Sequence, residues 1–162
     1  MTHLSQAHFD KDNFSKMRVY LSVQVVSGCV VKMFAIAFKD ETIKLPFTRE
    51  TYRPLLQLII HTNNFVDIIN GKNDVNWTPK NALSIIEKLL KIFSWFDNWR
   101  ELNQSINLNN NKFLPEQTWN GFKRIILDYV GMIDYYVIQR GMTIVPKWIL
   151  SDPCEHLFSR MR

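Results

Sequence analysis

A mainly α-helical fold is predicted for these 162 residues, on three observations. Apolar residues recur at three- and four-residue steps through 54–69, 79–102 and 116–137, the period of a helix that buries one face. Proline marks the start of each segment, as Pro54, Thr78-Pro79 and Pro115, where its missing N–H costs least. The connections between segments are short, as in bundles of neighbouring helices. A chain of this length can build one core, and 46% apolar with 22% charged residues is an ordinary soluble balance.

The elements follow in order. Residues 13–38 form a long apolar run rich in valine, including Val19, Val23, Val25, Val26, Val30 and Val31. That composition suits a strand, but the length favours a buried helix. A second helix begins at Pro54 and aligns Leu55, Leu58, Ile59, Thr62, Val66 and Ile69 on one face. Asn70-Gly71 closes it, glycine supplying the left-handed cap. A third helix starts with Thr78 as N-cap and Pro79 in the first turn. Its stripe is Leu83, Ile86, Leu90, Phe93 and Phe96, continuing to Leu102. Residues 107–112 (NLNNNK) read as a loop. A fourth helix after Pro115 buries Phe122, Ile126, Tyr129, Val130, Ile133 and Val137 and stops before Gly141. Residues 142–150 are expected to be extended, with Pro146 among them. No composition shift marks two independent domains. Of the tryptophans, which could stack on bases, Trp95 and Trp119 are assigned to the core.

The formal charge of +5 is spread along the chain. It permits contact with nucleic acid or phosphate without requiring it. Cys29 and Cys154 form no CxxC pair, so neither a zinc site nor a disulfide framework is indicated. They are expected as buried free thiols, which fits a reducing, intracellular compartment. No apolar signal core opens the chain, and no run is long and apolar enough for a membrane span. His8, His61 and His156 show no metal-ligand spacing.

The last twelve residues, SDPCEHLFSRMR, put Cys154, Leu157, Phe158 and Met161 on one face of a helix beginning at Asp152. Two readings of the acids stand side by side. Asp152 as N-cap, Pro153 in the first turn and Glu155 at the third position make a capping box, which needs no chemistry. Alternatively, Glu155 supplies one corner of a two-metal site, in which carboxylates hold two Mg²⁺ ions about 4 Å apart.

Other stretches bear on that choice. LSQAHFDKDNFSKMRVYLSVQVVSGCVVKMF carries His8, Phe14, Lys16-Met17, Gln24-Val25, Ser27 and Val30-Val31 in the order seen in P-element and THAP-domain DNA transposases, which it resembles. NNFVDIIN is similar to that family's FDxxN segment, with Val66 in place of phenylalanine. FLPEQTWNGFKRIILDYVGMIDYYV is similar to a later family helix. SDPCEHLFSRMR resembles the QDxxExxFxxIR signature, with Ser151 for glutamine and Met161 for isoleucine.

The resemblance implies a split RNase H-like fold with a mostly helical, GTP-binding insertion. Residues 1–31 would end the first RNase H-like portion, 32–141 would be the insertion, and 142–162 would begin the C-terminal portion, to which the terminal helix belongs. Glu155 would match the metal-binding catalytic glutamate, and Asp152 the acid three residues before it. The implied activity is Mg²⁺-dependent DNA cleavage and strand transfer in the nucleus, with GTP as cofactor and DNA and other transposase subunits as partners. The family's two upstream aspartates have no counterparts in these residues, since Asp10 and Asp12 stand too close to Lys16-Met17. Its zinc-coordinating DNA-binding module is missing as well. The expectation is a transposase fragment or derivative that does not catalyse alone.

No GxxxxGK[ST] phosphate loop is present. The family binds GTP without one, which implies Asp67 and Asn70 near the base and Lys72 near the phosphates. Each has a plainer reading: Asp67 a solvated helix acid, Lys72 a loop lysine, and NGKND a helix cap followed by a turn. Two alternatives from other classes remain. One is a non-catalytic helical interaction module derived from a transposase, using exposed apolar faces at 19–31 and 154–161 to bind a protein. The other is simple nucleic-acid binding by the basic surface, with steep salt dependence.

Overall fold

The computed structural model describes residues 25, 27–39, 49–71, 76–105 and 113–149; the side chains of Arg49 and Thr51 are outside that description. Residues 13–24, Lys72, Asp152, Cys154 and Glu155 lie outside the described residues, and so do the expectations resting on them. Four α-helices are described: α1 (Gly28–Ala37), α2 (Arg49–Ile69), α3 (Ala82–Ser105) and α4 (Glu116–Met132). A π-helical segment, Ile133–Gln139, continues α4, and a 3₁₀ turn spans Pro146–Trp148. The mainly α expectation holds, and no described helix is long and apolar enough to cross a membrane.

The chain divides into two compact units, Met1–Asp67 and Ile68–Arg162. The division falls inside the last turn of α2. A helix crossing a boundary leaves no glycine- or proline-rich linker, which is why composition did not show it.

In the first unit, Val30, Tyr52, Ile59 and Phe65 are buried. Tyr52 meets Phe34 and Phe38 with ring centroids 4.3 and 4.9 Å apart. The single helix expected over 13–38 is interrupted: Ser27 has extended backbone angles and acts as the N-cap of α1. Cys29 is exposed, not buried. Helix α2 already includes Arg49–Arg53, so Pro54 lies inside it and not in its first turn. Proline there removes the bond to the Glu50 carbonyl. Leu55, expected on the buried face, is exposed.

In the second unit, Gly71 has φ +60° and donates its N–H to the Ile68 carbonyl, closing α2 as expected. A Cβ at this position would sit 3.4 Å from the Pro146 ring. Thr78 and Pro79 do not open α3 as its N-cap and first helical turn: residues 79–81 form a turn and the helix begins at Ala82. Asn81 Oδ1 accepts from the Thr78 N–H at 2.8 Å, and Asn81 Nδ2 donates to the Asn76 carbonyl. Ala82 already donates to Thr78 in helical fashion. Asn81 thus satisfies the Thr78 N–H with its own side chain just ahead of the helix.

The buried row of α3 is Ala82, Ile85, Leu89, Ile92 and Phe96. Phe96 is buried as expected, but before it the expected stripe is displaced by one residue: Leu83 is 72% and Leu90 40% exposed. Aromatic rings join α3 to α4, with Phe93 stacked on Trp119 at 5.6 Å and Phe96 edge-on to Phe122 at 4.8 Å. Trp119, Ile126, Ile133 and Val137 are buried, while Phe122, Tyr129 and Val130 are only half-buried. Residues 142–149 are extended only in part. Ile144 exchanges two backbone hydrogen bonds with Trp77, and the 3₁₀ turn follows at Pro146.

Candidate functional site

Of the five residues singled out for chemistry, Asp67 and Asn70 are described. Asp67 lies in the last turn of α2 and is half-buried. One turn earlier on the same face, Asn63 Nδ2 donates to Asp67 Oδ2 at 2.9 Å. Asn63 Oδ1 in turn accepts the backbone N–H of Gly28 at 2.8 Å. The first N–H of α1 is one of the donors a helix cannot satisfy internally. Ser27 makes no side-chain cap, so Asn63 performs that task from another helix.

This relay fixes both partners. The Asn63 amide must present oxygen to Gly28 and nitrogen to Asp67, so its orientation is determined by the network. The Asp67 carboxylate, which accepts at about four lone-pair positions, takes one of its bonds from Asn63. Of the two expectations for Asp67, the structure shows it as a half-buried support for Asn63.

Asn70 is exposed and belongs to the second unit, whereas Asp67 closes the first. Among the described residues no group of three or more histidines, cysteines or acids could hold a metal ion.

Sequence reasoning missed Asn63, because its partner Gly28 lies 35 residues away and no local pattern announces such a contact. It also missed a cleft in the first unit, about 390 Å³, lined by Ala35, Phe38, Lys39, Tyr52, Arg53 and Leu56. The cleft is not at Asp67: Leu56 and Asp67 are eleven residues apart on α2, about 16 Å along the axis at 1.5 Å per residue. Burial pushes the Tyr52 hydroxyl up to about 12, and it raises Tyr129 as well. The chain matches no protein-family model, no curated protein and no solved structure.

Proposed function

We propose that this chain is part of, or derived from, a cut-and-paste DNA transposase of the P-element kind, and that its helices belong to a GTP-binding insertion. The ordered motifs from His8 to Arg162 support this reading, and so does the helical character of the described residues. The observation that carries it is the oriented carboxylate of Asp67 at the end of α2.

The chemistry is specific. Guanine offers two adjacent donors, N1–H and the 2-amino group, which a carboxylate accepts side by side. Adenine presents an acceptor at N1 and has no 2-amino group, so the same carboxylate meets a lone pair and loses its bonds. An Asp67 held by Asn63 would thus select guanine over adenine, partly by repulsion. Asn70 and Lys72 complete the proposed nucleotide contacts, Lys72 toward the phosphates.

In this reading Glu155, assisted by Asp152, is the last carboxylate of an Mg²⁺ site whose other acids come from a part absent from these residues. The partners are DNA and other transposase subunits, and the place of action is the nucleus. The exposed apolar side chains Met33 and Ile36 on α1 favour a second reading, a non-catalytic module that binds a protein.

Calorimetric titration of the purified chain with GTP, and with ATP as control, tests the first reading. Binding of GTP with little or none of ATP is expected. A folded sample that binds neither, or both alike, rejects a guanine-reading Asp67.

A further inference from the structure

One flank of α4 has an order that packing within the chain does not use. Arg124, Leu127, Gly131 and, just past the helix, Asp134 are all exposed. Steps of three, four and three residues put them on one side. The buried row Trp119, Ile126 and Ile133 lies one residue, or about 100°, around the axis. Leu127 is 47% exposed. A Cβ at Gly131 would meet nothing within 4 Å, and Gly131 is not among the glycines with positive φ. Neither backbone geometry nor a neighbour accounts for glycine there, although it is the weakest helix former after proline. Close approach of another helix does account for it, because the side chains at a crossing set how near two axes can come. Gly121 is open in the same way but lies off this row. Among the described residues neither Arg124 nor Asp134 is in an ion pair, and Asp134 accepts from Gln139 Nε2 at 2.7 Å.

We propose that this flank is a two-fold interface between two copies of the chain, their α4 helices lying antiparallel. Symmetry selects the occupant. Positions 124 and 134 have residue 129 as their midpoint, and positions 127 and 131 have the same one. Two antiparallel helices crossing at that level set Leu127 over the partner's Gly131 and Arg124 beside the partner's Asp134, and each contact occurs twice. That is the self-complementarity of an isologous contact. The leucine fills the space that the glycine leaves, and the planar fork of arginine suits a carboxylate. The two charge pairs stand about 15 Å apart along the axis, ten residues at 1.5 Å each, one at either end of the apolar centre. In a parallel pair each arginine would meet an arginine and each acid an acid, so the charges also set the direction. Nothing in this interface depends on the transposase reading.

The test is sedimentation equilibrium of the full chain over a concentration series, with circular dichroism of every variant to verify its helices. A reversible monomer–dimer equilibrium of the 19.2 kDa chain is expected. Gly131 is an exposed helical position with open space around it, so Gly131→Trp should fold, and it should abolish the dimer. Arg124→Asp and Asp134→Arg should each weaken self-association at least about tenfold, because each sets like charges against one another. Mixing those two single variants should restore a dimer with one copy of each. The acid introduced at 124 then faces the arginine introduced at 134, and the native Arg124 of one copy faces the native Asp134 of the other. The double variant Arg124→Asp with Asp134→Arg should self-associate as the native chain does. A chain that stays monomeric at every concentration, a dimer that survives Gly131→Trp, or single variants that do not recover on mixing would overturn the proposal.

Discussion

Asn63 ties two helices together with one side chain. It caps α1 through Gly28 and holds Asp67 through its amide nitrogen. Removing it leaves a part-buried N–H without its acceptor. Asn63→Ala should therefore cost about 1–2 kcal/mol in urea unfolding, whereas a loss under about 0.5 kcal/mol would show that the cap is not needed. Tyr52 gives a second residue-level test. Its folded-state value of about 12 exceeds the ordinary 10, so the neutral phenol is favoured by folding. Stability from this group is fully present below pH 10 and is lost as pH rises toward 12, at about 1.4 kcal/mol per pH unit. Tyr52→Phe, measured in parallel, should flatten that decline between pH 10 and 12. Identical slopes in the two proteins would contradict the assignment.

At the scale of elements, caps were legible and registers were not. Asn70-Gly71 and Thr78-Pro79 announce helix boundaries because backbone geometry restricts which residues serve there, and Gly71 does adopt a positive φ. In α3 the two apolar rows lie side by side. Ala82, Ile85, Leu89, Ile92 and Phe96 neighbour Leu83, Ile86, Leu90 and Phe93, one residue or about 100° around the helix. Periodicity identifies the wide stripe, and only the partner decides which edge is buried. The prediction is asymmetric: Leu89→Ala should cost about 2–5 kcal/mol, and Leu83→Ala less than about 0.5 kcal/mol. Equal losses in chemical denaturation would restore the other register. The π-helical turn after α4 was also hidden. Its side-chain bonds, Gln139 to Asp134 and Arg140 to Tyr135, span five residues, a spacing that does not align on an α-helix. It ends where Met142 donates to the Tyr136 carbonyl around Gly141.

At the scale of the whole molecule, the sequence reading of an all-helical chain required only periodicity, and that part is visible in the structure. The transposase reading draws on Glu155, which lies outside the described residues, and on the run from His8, of which only 25 and 27–34 are described, so chemistry must test it. If an aspartate-bearing portion of such an enzyme is supplied in trans, Glu155→Ala should abolish DNA cleavage while leaving the helical circular dichroism of the chain unchanged. Full activity in that variant would remove Glu155 from the metal site.

The most direct measurement is calorimetry of GTP with the native chain and with Asp67→Asn. Asparagine keeps an oxygen that can accept from Asn63 Nδ2, so the relay to Gly28 and the fold should survive. It also replaces one carboxylate oxygen by a donor, which faces guanine's own donors. The account predicts GTP binding by the native chain and at least about a tenfold loss in the variant, with unchanged melting. Equal GTP affinity in the two proteins would contradict it and leave Asp67 with a structural part only, as a support for Asn63.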